Sequence, residues 1–225
     1  MTAVGDRVLV LGGGGVTGIA WEVGLLAGLA ELGLDLSDAD TVIGTSAGSV
    51  VAGQVTSGHP LSELYDRQIS GYGPESLSRL GVRFRAKFAW ALLRGRSGPA
   101  FRRRIGAMAL KADTVPEQER LDVIAARLPE HEWPERDLRV TAVDAETGDF
   151  RLLDRHSAVP LVTAVAASCA VPGVYPPVTV DGRPMVDGGV MSATNADVAA
   201  GARAVVVLAP SPRGIGPVTG AEVQV

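Results

Sequence analysis

A serine flanked by glycines lies at position 46, within the run Gly44-Thr45-Ser46-Ala47-Gly48. The pattern G-x-S-x-G after a β-branched stretch is typical of a nucleophile elbow, in which a strand ends, the chain turns sharply at the serine and a helix begins. Such a turn strains the serine backbone, so its neighbours must be small. The pattern therefore predicts an exposed nucleophile at Ser46, close to helix N-terminal N–H groups that stabilise negative charge. Taken alone, it also fits a glycine-rich turn with an incidental serine.

A second glycine-rich stretch, Gly12-Gly13-Gly14-Gly15, follows the first apolar strand. Gly13, Gly15 and Gly18 match G-x-G-x-x-G, the dinucleotide-binding pattern, and three acids lie near the spacing of a ribose ligand: Asp35, Asp38 and Asp40. The same row of N–H groups could instead hold the oxyanion of an acyl-transfer intermediate. Because the elbow places a serine beside this loop, acyl transfer is the favoured interpretation and a dinucleotide enzyme is the alternative.

A serine nucleophile needs a group that accepts its proton. In an α/β-hydrolase triad the histidine follows the acid along the chain, and no histidine here lies beyond Asp187. The three that are present lie in polar or capping contexts, which indicates surface roles: His59, His131 and His156. A serine–histidine mechanism therefore has no support in the sequence.

A carboxylate that contacts the serine directly is the other possible base. Asp187 ends a predicted strand, and the following Gly188 and Gly189 permit close backbone approach. Asp181 with Gly182 has the same local form, so the residues alone do not separate the two aspartates.

The remaining pattern predicts the elements that would position these groups. Strand, glycine loop, helix, strand, elbow and helix in succession indicate an α/β fold with a largely parallel sheet. Strands are predicted at Arg7–Leu11, Thr41–Ile43, Arg139–Val143, Phe150–Leu153, Val178–Val180 and Pro184–Val186, with a last buried strand at Ala204–Leu208. Helices are predicted over Ile19–Leu32, from the elbow to Val55, and over Pro60–Ile69, Val82–Leu93, Ala100–Ala109, Leu161–Ala167 and Asn195–Ala202. Another is predicted to open with a capping box, Thr114 and Glu117, and to run to Leu128, while Ser157 is expected to cap the helix at Leu161.

Composition bounds the class of protein. With 225 residues, 46% of them hydrophobic, the chain is expected to form one globular domain over residues 1–225. The single cysteine, Cys169, excludes an internal disulfide and suits a reducing, cytoplasmic setting, and we expect no signal peptide or membrane span. No His/Cys cluster has metal-ligand spacing, and we expect no cofactor and no nucleic-acid partner. The glycine- and proline-rich tail carries no closing helix, so the C-terminal end of the domain is expected to be incomplete or disordered.

Positive charge is concentrated between residues 79 and 111. This segment carries ten Lys and Arg residues and no acid, leaving 11 basic against 25 acidic residues elsewhere. Phe84, Phe88 and Leu92 recur at helical spacing there, beside a basic face of Arg83, Lys87 and Arg94. We expect a basic helical insertion that contacts anionic membrane at its surface, the alternative being that the aromatic face packs in the core and the cations are solvated.

Four blocks in order resemble the patatin-like phospholipase family: the glycine loop, the G-x-S-x-G elbow, the segment Ala166–Pro177 and Asp187-Gly188-Gly189. The resemblance covers about Arg7 to Leu208 and implies a three-layer α/β/α domain whose Ser–Asp dyad hydrolyses acyl esters of lipids. It makes Ser46 the nucleophile and Asp187 the base. It also implies oxyanion donors at Gly13, Gly14 and Gly15, with supporting motif positions at Gly18, Gly44, Gly48, Gly188 and Gly189.

The chain departs from the family pattern at one position. Two places after the glycine triplet the family commonly carries Arg or Lys, and here Thr17 stands instead. A positive charge near the oxyanion is thereby lost, although the backbone donors remain. The alternatives to a lipid acyl hydrolase are the dinucleotide enzyme and a catalytically silent, lipid-binding relative.

Overall fold

The computed structural model describes residues 5–71, 98–213 and 218–224. The strands in these ranges are β1 (Arg7–Leu11), β2 (Thr41–Gly44), β3 (Asp137–Asp144), β4 (Phe150–Leu153), β5 (Val178–Val180), β6 (Arg183–Asp187) and β7 (Ala204–Leu208). The helices are α1 (Gly15–Glu31), α2 (Ala47–Val55), α3 (Leu61–Ser70), α4 (Pro99–Ala109), α5 (Glu117–Arg127) and α6 (Leu161–Ser168). Short 3-10 turns lie at Leu36–Asp38, Gly188–Val190, Ala196–Ala199 and Ala221–Val223.

The seven strands form one mixed sheet in the order β5-β6-β3-β2-β1-β7, with β4 also paired to β3. The four strands β7, β1, β2 and β3 are mutually parallel, as the sequence pattern predicts. The pairs β3–β4, β3–β6 and β5–β6 are antiparallel. Tight turns join β3 to β4 and β5 to β6, and such turns permit only antiparallel pairing.

Helical elements cover both faces of the sheet, which gives the three-layer α/β/α arrangement. Leu9 and Leu11 of β1 point into the larger cluster, formed with α1, α2 and α6. Val8 and Val10 point to the opposite face, against the turn Ala196–Ala199. On that same face α4 packs on β3 and β6 through Phe101 and Ile105. Because successive strand residues alternate between faces, β1 contributes to both layers of core.

Several local predictions are wrong. The segment predicted to be a helix over Asn195–Ala202 forms only a 3-10 turn, Ala196–Ala199. The strand β7 is at the sheet edge and three of its five residues are exposed, so it is not the buried strand expected. The two predicted caps are also absent, since α5 and α6 each begin after a proline. Glu117 accepts hydrogen bonds from Thr179 instead, and Ser157 bonds to Asp154.

The basic segment is described only in part. Its second predicted helix is present as α4, whereas the first, Val82–Leu93, lies outside the described residues and with it the proposed interfacial face of Phe84, Phe88 and Leu92. None of the helices in the described ranges is long and apolar enough to cross a membrane.

Candidate active site

The turn at Ser46 has the backbone geometry of a nucleophile elbow. Ser46 lies between β2 and α2 with φ 53° and ψ −119°, a conformation that side-chain-bearing residues rarely adopt. The residues two positions before and two positions after it must be glycine for steric reasons. A Cβ on Gly48 would lie 2.1 Å from the Leu11 carbonyl oxygen, and one on Gly44 would lie 2.5 Å from the Ser49 Cα. The elbow is therefore packed directly against the end of β1.

A carboxylate lies in contact with the serine hydroxyl. Ser46 Oγ donates to Asp187 Oδ2 at 2.7 Å, although the two residues are 141 positions apart. Asp187 ends β6, and its other oxygen, Oδ1, accepts a hydrogen bond of 2.7 Å from the Gly189 N–H. Gly188 permits this turn because a Cβ there would lie 2.2 Å from Thr141 Oγ1 on β3. The sheet thus brings the ends of β2 and β6 together, and with them the two side chains.

The carboxylate is poised to accept a proton near neutral pH. Asp187 is only 5% exposed. Burial raises the pKa of Asp187 from its usual 3.8 to about 6, while the hydrogen bonds from Ser46 and Gly189 and the charge of Arg120 act in the opposite direction. A carboxylate with such a pKa is ionised at pH 7 yet is a stronger base than a solvated one.

The other candidate aspartate lies elsewhere. Asp181 occupies the turn between β5 and β6 with a positive φ of 50°, and its carboxylate lies 4.0 Å from Arg151. It is therefore a turn residue, and the structure distinguishes two D-G pairs that have the same local sequence.

Two residues at the end of α6 hold the backbone of Ser46. The Ser46 N–H donates to Ser168 Oγ at 2.9 Å, and Cys169 Sγ lies 3.1 Å from the Ser46 carbonyl oxygen, to which it donates. The Ser49 hydroxyl donates to that same oxygen at 2.6 Å. Buried backbone groups need such partners, so these contacts stabilise the unusual conformation of Ser46. Ser168 lies within the segment Ala166–Pro177 that resembles the family, but nothing in the sequence predicts this contact.

Beneath the elbow a buried amide links the serine and aspartate loops. Asn195 Nδ2 donates to Thr45 Oγ1 at 3.0 Å and lies 3.3 Å from both Thr141 Oγ1 and the Gly188 carbonyl oxygen. Thr45 and Thr141 are themselves joined at 2.9 Å. Asn195 is in a left-handed conformation, which asparagine tolerates better than most residues. That preference is the one signal in the sequence that could have identified it.

The glycine loop lies beside the serine, but its three glycines differ. The Gly13 N–H donates to the Ala193 carbonyl oxygen at 2.8 Å, so Gly13 is not available as the oxyanion donor that the sequence suggested. Gly14 caps α1 and Gly15 is its first residue, where N–H groups have no partner within the helix. Gly18 packs against the start of α2, because a Cβ there would lie 3.5 Å from the Ala47 Cβ. Thr17 donates to the Gly14 carbonyl oxygen at 3.2 Å.

A largely apolar cavity of about 320 Å³ opens above Ser46 and Asp187. Gly13 and Gly14 border it on one side, and α4 borders it through Phe101 and Ile105. Its other apolar walls include Val171, Pro172, Val190 and Val218. Such a cavity suits a hydrocarbon chain rather than a nucleotide, because it offers few polar partners.

The acids of the dinucleotide interpretation and the three histidines lie away from this cavity. Asp40 bonds to the Arg7 side chain and backbone N–H at the start of β1, the opposite end of that strand from the glycine loop. A dinucleotide bound at the glycine loop would need an acid at the C-terminal end of β2. Ser46 lies near that end, whereas Asp40 lies at the other end of the strand and would not contact the dinucleotide. None of the three histidines lines the cavity, and His59 is engaged by Glu63 at 3.2 Å. Among the described residues no cluster of His, Cys, Asp or Glu has a geometry that could hold a metal ion.

Comparison with known proteins places this chain in a family. A sequence model of patatin-like phospholipases matches residues 9–200. Uncharacterized NTE family proteins of Mycobacterium bovis and Mycobacterium tuberculosis are 28% identical over 225 residues, covering 96% of this chain and 52% of theirs. The chain thus spans about half the length of these relatives. VipD from Legionella pneumophila is a similar solved structure at 15% identity and a TM-score of 0.45, covering 84% of this chain and 46% of that one. Since the family match includes the glycine loop, the elbow and the aspartate, the chain belongs to the patatin-like phospholipase family.

Proposed function

We propose that this chain is a serine lipid acyl hydrolase that cleaves carboxylic esters of lipids through a Ser46–Asp187 dyad. The observation that carries the proposal is the 2.7 Å hydrogen bond between Ser46 Oγ and a buried Asp187, at the floor of an apolar cavity. Membership of a lipid-hydrolase family supports the same substrate class.

The first half of the reaction forms an acyl-enzyme. Asp187 Oδ2 accepts the hydroxyl proton as Ser46 Oγ attacks the ester carbonyl carbon. The negative charge that develops on the carbonyl oxygen is stabilised by the N–H groups of Gly14 and Gly15, assisted by Ala47, the first residue of α2. When the tetrahedral intermediate collapses, the carbon–oxygen bond to the alcohol breaks, and Asp187 returns the proton to that alcohol.

The second half releases the fatty acid. Asp187 takes a proton from water, whose oxygen attacks the acyl carbon. The bond to Ser46 Oγ then breaks and the serine recovers its proton from Asp187. The apolar cavity holds the acyl chain throughout, since burial of each methylene contributes about 0.8 kcal/mol.

We propose in addition that α4 orients the cavity towards anionic membrane. Its inner side contributes Phe101 and Ile105 to the cavity wall, whereas Arg103 and Arg104 are exposed on its outer side and Lys111 follows. Basic residues near an anionic surface contribute about 1 kcal/mol each to binding. Replacing Arg103 and Lys111 by Glu should weaken sedimentation with anionic vesicles and spare hydrolysis of a short ester in solution.

Labelling with a fluorophosphonate, together with hydrolysis of p-nitrophenyl butyrate, tests the proposed chemistry. Wild type should be labelled on one serine and should turn over the ester. Ser46→Ala should lose both properties and remain folded, because Ala47 already occupies the adjoining position. Loss of the nucleophile should reduce the rate by several orders of magnitude. Wild-type protein that is neither labelled nor active but binds lipid would instead identify a catalytically silent relative.

A further inference from the structure

The loop formed by residues 192–195 connects the three motifs of the site, and we call it the hub loop. Its Ala193 carbonyl oxygen accepts the Gly13 N–H of the glycine loop at 2.8 Å. Its Asn195 amide contacts the loops that carry the nucleophile and the base. Three of its four residues are at most 1% exposed: Ser192, Thr194 and Asn195. A displacement of the hub loop would therefore move groups at the glycine loop, the serine and the aspartate.

Residues 218–224, which we call the tail segment, pack on the hub loop. The Thr219 carbonyl oxygen accepts the Ala193 N–H at 3.1 Å and the Ser192 hydroxyl at 3.2 Å. Val218 forms part of the wall of the apolar cavity. The tail segment therefore both borders the cavity and supports the loop beneath the dyad.

The side chain of Gln224 makes four hydrogen bonds to the hub loop and to the two residues that follow it. Its Oε1 accepts from the Ser192 hydroxyl at 2.6 Å, the Thr194 hydroxyl at 3.0 Å and the Ala196 N–H at 3.2 Å. Its Nε2 donates to Asp197 Oδ1 at 2.6 Å. A backbone N–H can only donate and an ionised carboxylate can only accept, so these two partners fix the orientation of the Gln224 amide.

The Ser192 hydroxyl connects Gln224 to the buried amide of Asn195. Ser192 Oγ accepts the Asn195 N–H at 3.2 Å. Asn195 Nδ2 in turn donates to Thr45 Oγ1 at 3.0 Å and lies 3.3 Å from the Gly188 carbonyl oxygen. Thr45 and Gly188 directly adjoin the nucleophile and the base in the chain. Hydrogen bonds in a buried chain of this kind strengthen one another, so Gln224 is coupled to both halves of the dyad.

We propose that Gln224 is a positioning residue, which acts through the hub loop to hold Ser46 and Asp187 at the distance needed for proton transfer. The inference rests on the proposed function and adds to it a residue outside the family match over residues 9–200. Gln224 is not among the residues that line the cavity, so it acts on the dyad only through the loop. Without its side chain, three buried donors lose an acceptor, and the hub loop must rearrange to satisfy them.

The test measures kcat and KM for p-nitrophenyl butyrate at pH 8, per folded protein, in wild type and Gln224→Ala. In the variant kcat should fall between about tenfold and about a hundredfold, with KM within about twofold, because displaced reacting groups slow the chemistry of both half-reactions.

The pH profile of kcat/KM provides a readout that a merely structural role would not change. The hydrogen bond from Ser46 lowers the pKa of Asp187. If Gln224→Ala weakens this bond, the pKa of Asp187 rises, and the midpoint of the profile should move above its wild-type value.

Two variants of the tail segment serve as controls. Glu222→Gln changes an exposed side chain in the same turn as Gln224 and should behave like wild type. Val218→Ala removes part of the cavity wall, so it should raise KM for a long-chain ester and leave the pH midpoint in place.

A paired exchange tests the contact itself and provides another route if Gln224→Ala is unstable. Gln224→Glu keeps an acceptor for the hub loop but places a second carboxylate where an amide now lies 2.6 Å from Asp197 Oδ1, so kcat should fall. Adding Asp197→Asn replaces this repulsion by a hydrogen bond and should restore most of kcat. Losses that simply add in the double variant would overturn the contact as the cause.

Unchanged kcat and pH midpoint in Gln224→Ala, or an effect confined to KM, would overturn the inference. Wild type that hydrolyses no ester would instead contradict the proposed function. The pKa of Asp187, followed by the NMR signal of its carboxyl carbon, then still tests the positioning without any turnover. It should be higher in Gln224→Ala than in wild type, and equal values would overturn the role of Gln224.

Discussion

The pH dependence of ester hydrolysis should reveal Asp187 as the base. Its pKa is raised to about 6, chiefly by burial. Only the ionised carboxylate can accept the proton of Ser46, so activity should rise with pH. With a pKa of 6, about one tenth of the enzyme is in the active form at pH 5 and about nine tenths at pH 7. A base with the ordinary value of 3.8 would be more than about nine tenths ionised at both pH values.

The measurement is kcat/KM for a short, soluble ester from pH 4.5 to pH 8, which reports the ionisation of the free enzyme. A midpoint near 6 could also be ascribed to histidine. The control therefore replaces His59, His131 and His156 by Gln, which should leave the midpoint in place. Carboxyl ionisation is also much less sensitive to temperature than imidazole ionisation, so the midpoint should hardly move on warming. A profile that is flat between pH 5 and pH 7, or a midpoint that shifts in the histidine variant, would show that Asp187 is not the base.

The same raised pKa has a consequence for stability. The folded state binds the Asp187 proton more tightly than the unfolded state, so this group stabilises the fold below about pH 4 and its contribution is lost as the pH rises through about 6. At about 1.4 kcal/mol per pKa unit, the loss is at most about 3 kcal/mol. Asp187→Asn should therefore be inactive and, by urea unfolding at pH 7, no less stable than wild type. A large loss of stability in Asp187→Asn would show that the ionised carboxylate of Asp187 stabilises the folded state, which would contradict this prediction.

Three further changes test the surroundings of the dyad. Ser168→Ala leaves the buried N–H of Ser46 without its acceptor, so kcat should fall and unfolding should become about 1–3 kcal/mol easier, while Ser168→Thr, which keeps a hydroxyl, should recover part of both. Burial raises the pKa of Glu22 to about 9, so the unfolding free energy of wild type should fall as the pH rises from about 4.5 to 9. In Glu22→Gln, the unfolding free energy measured by chemical denaturation should lack this part of the pH dependence. Gly48→Ala puts a Cβ 2.1 Å from a backbone oxygen and should cost at least about 3 kcal/mol, whereas Gly28→Ala meets nothing within 4 Å in α1 and should be neutral or stabilising in the same thermal unfolding assay.

The local geometry of the chain could be predicted from the order of its residues. The bounds of β1, β4, β5 and β7 follow from short apolar runs, because a strand is specified by residues next to one another. The elbow is equally local, since Gly44 and Gly48 are required by atoms of the adjacent turn and strand. Family membership followed from the order of such motifs, and the family match confirms it. Where the type or the burial of an element depends on its surroundings, the prediction from sequence was wrong. This applies to the helix predicted over Asn195–Ala202 and to the burial predicted for β7.

Contacts between distant groups could not be derived from local sequence, because they depend on how the elements pack. Asp181 and Asp187 both precede a glycine, and only the resemblance to the family favoured Asp187. The physical reason is the register of β6 on β3, which brings Asp187 and not Asp181 to the serine. Nothing in the sequence shows that the Gly13 N–H is unavailable as an oxyanion donor, because the carbonyl oxygen to which it donates belongs to Ala193, far along the chain. Arg120 and Arg127 look like ordinary helix arginines until packing buries them beside Ser46. Burial, pKa and charge at this site depend on contacts between segments far apart in the chain, and the sheet and the helices packed on it bring those segments together.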